Sequence, residues 1–275
     1  MLTALACSGT TGALASSDCS LACAGTNKKV VCGGGQRAST DAPFEYFDMT
    51  NGHSAQSPAS PLSAYPMGAA IAAYGNLIWL LASINLGGCS GSNNGYSTLL
   101  YRFDTTNNAW LVSGISGISQ NRYEIAAVAA NGFVFFAGGT WQGPCCASES
   151  GCALNAIDIF DIGQTKFTTV ATLSSKRYRM AAAAIGPYVA FGCGVLGGTS
   201  GAGVGAGSAA LDLVDTTTFQ IAITTTAPGS PTGLSAMCAV GTKLVLSDGA
   251  KLYMYDYILQ ASANITVSAR VSHRC

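Results

Sequence analysis

The sequence has few charged residues: Asp, Glu, Lys and Arg make up 9% of the 275 residues, against about 25% in a typical soluble domain. The 13 basic and 13 acidic side chains balance, so the chain has no net charge. Nucleic-acid binding requires clustered Lys and Arg, and the best run is Lys28-Lys29. We therefore expect no nucleic-acid partner, and a polar surface built mainly from Ser, Thr, Asn and Gly.

Histidine is also scarce, since only His53 and His273 are present. Zinc sites use C-x2-C pairs or added His, whereas the close cysteine pairs here are Cys19-x3-Cys23 and Cys145-Cys146. A catalytic thiol would need a His partner. We expect no metal, no other cofactor and no catalytic residue.

Long uninterrupted apolar runs are missing. Residues 67–88 and 180–198 are apolar enough to suggest membrane spans, but Gly75 and Gly186 break them near the middle. A span needs about 20 continuous apolar residues, so two strands joined by a tight turn are predicted instead. Residues 1–17 contain neither a basic n-region nor a long apolar core, so no signal peptide is visible there.

Cysteine is abundant, with 11 residues. This content is typical of secreted proteins, so we expect an extracellular location, disulfides and at least one thiol that is free or bound to another chain. A bond from Cys275 to Cys7 or Cys19 is one arrangement. Asn264 begins an Asn-Ile-Thr sequon and is a glycosylation candidate. The disulfide candidates are Cys7, Cys19, Cys23, Cys32, Cys89, Cys145, Cys146, Cys152, Cys193, Cys238 and Cys275.

An internal repeat is the strongest signal in the sequence. An aromatic residue or Val followed by Asp recurs at Asp48, Asp104, Asp161, Asp215 and Asp256. Each is preceded by a small-residue strand, a turn glycine and a hydrophobic strand that ends in Gly; the turn glycines are Gly25, Gly75, Gly132, Gly186 and Gly241. A fourth strand follows, as at residues 166–172. Each unit therefore predicts four strands, with the Asp as a structural turn residue and not a catalytic carboxylate. Asp158 and Asp212 also recur, one per unit.

Four strands and a period near 50 residues resemble the kelch repeat over residues 19–268. Paired glycines occur at Gly33-Gly34, Gly87-Gly88 and Gly138-Gly139, and Arg122 and Arg177 precede first strands. Phe103 and Trp110 match the aromatic–Trp spacing, with Phe160 and Phe167 in the next unit. Units one, four and five lack the Trp. The resemblance implies an all-β propeller of about five four-stranded blades, at residues 19–61, 62–115, 120–173, 174–228 and 229–268.

Two short segments flank the predicted propeller. Residues 1–18 form an N-terminal segment, in which residues 2–8 could supply a strand to the last blade, and residues 269–275 form a C-terminal tail. Whether five blades close the ring is left open by the sequence.

The leading functional hypothesis is an extracellular structural or adhesive protein, a subunit of a filament, matrix or surface coat that contacts other copies of itself. One alternative is a glycan-binding module, for which the loop aromatics Tyr65, Tyr96 and Trp141 are candidates. Another is a galactose-oxidase-like copper enzyme, which would need two His ligands, two Tyr and a Tyr-linked Cys. The G-x-G-x-x-G match at residues 192–197 precedes a glycine-rich run that cannot form a helix, so it is interpreted as a blade loop.

Overall fold

A computed structural model describes residues 22–26, 29–33, 44–50, 53–56, 69–85, 96–111, 114–141, 153–197, 206–228, 236–247 and 251–265. These residues form five four-stranded antiparallel sheets, arranged as a five-bladed β-propeller. The predicted fold class is therefore confirmed. The segments 1–18 and 269–275 lie outside the described residues.

Each blade consists of four strands that pair in chain order. Blade 1 contains β1 (Ala22–Thr26), β2 (Lys29–Gly33), β3 (Phe44–Asp48) and β4 (His53–Gln56). Blade 2 contains β5 (Ala70–Tyr74), β6 (Leu77–Asn85), β7 (Tyr96–Asp104) and β8 (Ala109–Trp110). Blade 3 contains β9 (Ala126–Ala130), β10 (Phe133–Ala137), β11 (Ala156–Asp161) and β12 (Lys166–Thr172).

Blade 4 contains β14 (Ala181–Ile185), β15 (Tyr188–Gly192), β17 (Ala210–Asp215) and β18 (Ile221–Thr226). Blade 5 contains β19 (Ala236–Val240), β20 (Lys243–Ser247), β21 (Leu252–Asp256) and β22 (Ala261–Ile265). A short ribbon pairs β13 (Arg177–Tyr178) with β16 (Val195–Leu196).

The first strand of each blade lies innermost. Contacts join β1 to β5, β5 to β9, β9 to β14 and β14 to β19. These strands are rich in alanine, as in Ala-Ala-Val-Ala-Ala of β9 and Ala-Ala-Ala-Ala-Ile of β14. Small side chains are needed there because the inner strands crowd together, and close-packed interiors do not tolerate excess volume.

The hydrophobic core is divided into layers between neighbouring blades. Between blades 2 and 3, for example, Trp79 packs against Phe160 with ring centroids 4.9 Å apart, among Leu81, Val134 and Phe136. Similar layers lie between blades 1 and 2, 3 and 4, and 4 and 5. Each blade is therefore stabilised mainly by its neighbours and not by a core of its own.

In four of the five blades, the glycine predicted for the turn between the first and second strands lies in that turn. Gly75, Gly132, Gly186 and Gly241 all have positive φ, the conformation that glycine adopts without a steric penalty. The expected turn at Gly25 is wrong, because Gly25 lies within β1 and pairs with Val30.

The two apolar stretches first considered as spans contain the hairpins β5–β6 and β14–β15. In the part of the chain that the structure describes, no helix is long and apolar enough to cross a membrane.

Candidate functional site at the blade ends

The propeller has two different ends. Because successive strands in a blade are antiparallel, the connections between strands 1 and 2 and between strands 3 and 4 lie at one end, which we call the tight-turn face. The connections between strands 2 and 3, and from one blade to the next, lie at the other end, which we call the long-loop face. Candidate residues predicted from the sequence lie at both ends.

The five repeat aspartates are turn caps on the tight-turn face. Each is the last residue of the third strand of its blade. The carboxylate Oδ1 accepts a hydrogen bond from a backbone N–H two or three residues later, at distances of 2.7–3.1 Å. The donors to Asp48, Asp104, Asp161, Asp215 and Asp256 are Thr50, Thr106, Gln164, Thr217 and Ile258.

These backbone donors are the main cause of a lowered pKa at Asp104, Asp215 and Asp256. A lowered pKa keeps the carboxylates ionised near neutral pH, which suits acceptors in a turn and not general acids.

Arg122 forms a buried ion pair with Asp158 of β11. Its Nη2 donates to Asp158 Oδ2 and to the Phe136 carbonyl oxygen, the latter at 3.2 Å. Ser119 completes the arrangement, since its backbone N–H and its hydroxyl donate to Asp158 at 2.8 and 3.0 Å. The pair therefore ties the segment that enters blade 3 to the third strand of that blade.

Blade 4 repeats this arrangement with Arg177 and Asp212 of β17, which are both fully buried. Ser174 donates to Asp212 from its backbone N–H at 3.1 Å and from its hydroxyl at 2.9 Å. Arg177 Nη1 also donates to the Ala210 carbonyl at 2.6 Å. Burial lowers the pKa of both guanidiniums, and the adjacent carboxylate opposes that shift. Both ion pairs therefore have a structural role.

Sequence reasoning singled out both arginines but missed their partnership with Asp158 and Asp212. It also missed Ser119 and Ser174. The signal that could have found the serines is the shared Ser-x-x-Arg-Tyr pattern at 119–123 and 174–178.

Trp110 lies on β8, half-buried, directly opposite Phe103 of β7. Their rings meet edge-to-face with centroids 5.2 Å apart. Phe160 and Phe167 of blade 3 form the equivalent pair, also at 5.2 Å. The aromatic spacing in the sequence therefore corresponds to a cross-strand contact between the two outer strands of a blade.

A disulfide joins Cys23 and Cys32, which are opposite each other on β1 and β2. Cys238 is half-buried on β19. Cys7, Cys19, Cys89, Cys145, Cys146, Cys152 and Cys275 lie outside the described residues.

The expectation of a disulfide at Cys193 is wrong. Cys193 is a free thiol, 1% exposed, and burial raises its pKa to about 11 against the opposing charge of Arg177.

The remaining candidates occupy separate places. Asn264 lies on β22, the outermost strand of blade 5. Tyr96 begins β7 and Trp141 is half-buried after β10, both at the long-loop face, whereas Tyr65 lies outside the described residues. The segment 192–197 continues from the end of β15 into β16, so it connects blade 4 to the short ribbon. Among the described residues, no group of three or more His, Cys, Asp or Glu could hold a metal ion.

Among the residues that the structure describes, seven large apolar side chains are exposed. They are Met49, Tyr74, Leu111, Val170, Val240, Ile258 and Leu259. Met49, Tyr74, Val240, Ile258 and Leu259 all flank or occupy tight turns, so five of the seven lie on the tight-turn face. Single exposed apolar residues are ordinary, whereas large contiguous apolar patches mark interaction surfaces.

These features define a disulfide-containing, five-bladed β-propeller whose recurring aspartates cap its turns and whose blades 3 and 4 each contain a buried ion pair. No protein-family model matches the sequence, and no curated protein matches it.

Proposed function

We propose that this protein is an extracellular structural or adhesive component that works through protein–protein contacts, as a subunit of a filament, matrix or surface coat. The observation that carries the proposal is the set of large apolar side chains exposed on a chain with only 9% charged residues. Apolar surface favours association because removing it from water is favourable. With no net charge, copies of the chain do not repel one another strongly.

A non-enzymatic role is part of the proposal. The chemically capable residues described above have structural partners: the repeat aspartates accept backbone N–H groups, and the two buried arginines are paired with aspartates. The surface that remains is mainly neutral, which suits contact with another protein surface more than charge-dependent chemistry.

Secretion is supported by the cysteines. The Cys23–Cys32 disulfide joins neighbouring strands, and such bonds persist in oxidising compartments and are rare in reducing ones. Asn264, on an outermost strand, is the candidate glycan acceptor.

We further infer that the blades are divergent kelch repeats. Support comes from the Phe103–Trp110 ring pair and from Gly138 and Gly139, which both have positive φ directly after β10.

The test is the native mass of the purified protein, measured over a wide concentration range with and without reductant, together with electron microscopy. We expect assemblies larger than one chain that persist in reductant, because contacts between apolar surfaces need no covalent link. A monomer at every concentration contradicts the proposal. Glycan-array binding and copper analysis would then decide between the glycan-binding module and the copper enzyme.

A further inference from the structure

Each blade has two side faces, one toward the preceding blade and one toward the following blade. In blade 3, Val134 and Phe160 are paired across β10 and β11 and lie in the layer shared with blade 2. Phe135 and Ile159, the next pair along the same strands, lie in the layer shared with blade 4. The same register recurs in every blade, counted back from the capping Asp. The five junctions between blades can therefore be compared at matched positions.

The face toward the preceding blade is fully buried in four blades. The matched side chains of blades 2 to 5 are 0–2% exposed; they are Ile78, Phe103, Val134, Phe160, Val189, Val214, Leu244 and Tyr255. The matched pair in blade 1 is Val30 and Phe47, and both are only half-buried. In a five-bladed ring this face of blade 1 is directed toward blade 5.

The face of blade 5 toward blade 1 shows the same difference. The matched side chains of blades 3 and 4 are 0% exposed; they are Phe135, Ile159, Ala190 and Leu213. In blade 2, Trp79 is 0% exposed and its partner is the charged Arg102, for which partial exposure is ordinary. The matched pair in blade 5, Val245 and Met254, is apolar and only half-buried. Both sides of the junction between blades 5 and 1 are therefore less completely buried than their counterparts.

This junction is the least stabilised of the five, because stabilisation scales with the apolar area removed from water. Strand pairing does not compensate for the smaller burial. In the described part of the chain, each four-stranded sheet contains the strands of one blade only. Blades 2, 3 and 4 each have two well-packed junctions, whereas blade 5 has one, with blade 4. In a structure built from repeats, a unit with one well-packed neighbour is less stable than a unit with two.

Blade 1 shares the weak junction but has two further restraints. The Cys23–Cys32 disulfide joins its first two strands. The Lys29 ammonium donates across to blade 2, to the Thr105 carbonyl oxygen at 2.8 Å and to the Asn108 side-chain oxygen at 2.6 Å. These restraints hold blade 1 together and to its neighbour, so we expect blade 5 to be the blade that separates.

We propose that the ring opens at the junction between blades 5 and 1, and that blade 5 unfolds as a separate unit while blades 1 to 4 stay packed. This partial opening requires less free energy than global unfolding, because only the layer between blades 4 and 5 is lost. The opening belongs to the single chain, so it does not depend on the proposed function.

Amide hydrogen exchange of the full chain, followed by mass spectrometry, tests the opening. The informative strands are the second and third of each blade, because each pairs with a neighbour on both sides. These are β20 and β21 in blade 5, to be compared with β10 and β11 in blade 3. After correction for intrinsic rates, we expect exchange in wild type to be at least about tenfold faster in β20 and β21, as for a unit that opens below the global transition.

A matched pair of variants separates local from global opening. Leu244→Ala and Val134→Ala truncate side chains that are 0% exposed at the same position of blades 5 and 3. Leu244→Ala should speed exchange in β20 and β21 by about tenfold or more and leave β10 and β11 within about twofold of wild type. Val134→Ala should have the opposite pattern. Circular dichroism checks that both variants fold, and Leu244→Val is the smaller truncation to use if Leu244→Ala does not fold.

Equal protection of β20–β21 and β10–β11 in wild type would overturn the inference, because the ring would then open as one unit. A Leu244→Ala variant that speeds exchange equally in all blades would overturn it as well, because blade 5 would then have no opening of its own.

Discussion

Blades 3 and 4 differ from blades 2 and 5 at two matched positions. The first position lies four residues before the first strand of the blade, and the second lies three residues before the capping Asp. Blades 3 and 4 have Arg and Asp there, and these residues form the buried ion pairs. Blade 2 has Pro66 and Tyr101, and blade 5 has Thr232 and Tyr253. Both members of the pair are therefore replaced together.

The joint replacement has an energetic reason. A buried charge without its partner is strongly unfavourable, whereas a complete pair and an apolar substitute can be nearly equal in stability. Tyr101 and Tyr253 are both buried, and burial raises the pKa of Tyr101, which keeps its phenol neutral. The propeller therefore accommodates either a complete ion pair or none.

Breaking one pair should have the largest effect. We expect Arg177→Met to lower the free energy of unfolding by about 3–5 kcal/mol, because Asp212 would stay buried without its partner. The double variant Arg177→Met/Asp212→Leu should recover most of the loss. Urea denaturation monitored by tryptophan fluorescence measures both. If the double variant is as unstable as the single one, the two positions are not coupled and the comparison between blades fails.

A second difference concerns the residue that follows the second strand. It is Gly138 in blade 3 and Cys193 in blade 4, and both have positive φ, 62° and 58°. A Cβ at Gly138 would overlap the Arg177 carbonyl oxygen of the next blade. We expect Gly138→Ala to lower the free energy of unfolding by about 3 kcal/mol, because of this overlap and of backbone strain.

The free energy of unfolding of the matched variant Cys193→Gly should stay within about 1 kcal/mol of the wild-type value. Glycine adopts the left-handed backbone conformation without strain, and this gain offsets the packing lost with the Cys193 side chain. Urea midpoints measure both variants. A tolerated Gly138→Ala would show that the neighbouring blade moves aside easily.

Blade 1 has a third arrangement. The two matched positions are Asp18 and Glu45, which cannot form an ion pair with each other, and a disulfide joins its first two strands. Replacing Cys23 and Cys32 by Ala should lower stability by about 2–3 kcal/mol, the loop-closure contribution expected for so short a loop. Thermal unfolding of the variant should match that of reduced wild type if this bond dominates. An unchanged midpoint would falsify the idea that blade 1 needs the bond.

Much of the fold follows from the sequence because its signals are local and repeated. The capping Asp, the turn glycines at Gly75 and Gly132 and the Phe103–Trp110 spacing each report on residues close in sequence, and they recur once per blade. The kelch resemblance adds the expectation of four strands per blade to these signals.

The parts that sequence reasoning missed depend on distant residues. Asp158 lies 36 residues from Arg122, and nothing local indicates that they pair. An odd cysteine count cannot tell which residue stays a thiol, so Cys193 needed the structure. Exposure of Ile258 and Leu259 depends on which way a turn points, which hydrophobicity alone does not specify.

The smallest expected effect concerns the caps, which all blades share despite their other differences. The pKa of Asp104 and of Asp215 is lowered in the folded state, mainly by backbone N–H donors. A lowered folded-state pKa means that the caps contribute stability above the ordinary Asp value of 3.8. That stability is lost as the pH falls through the lower folded-state value.

Wild type should therefore lose thermal stability as the pH falls below about 4, and Asp104→Asn/Asp215→Asn should flatten that dependence while lowering the midpoint slightly at pH 7. Scanning calorimetry from neutral to acidic pH measures the slope. A slope that is identical in wild type and the double variant would mean that acid acts through other carboxylates. The shared caps would then stabilise the turns by geometry alone.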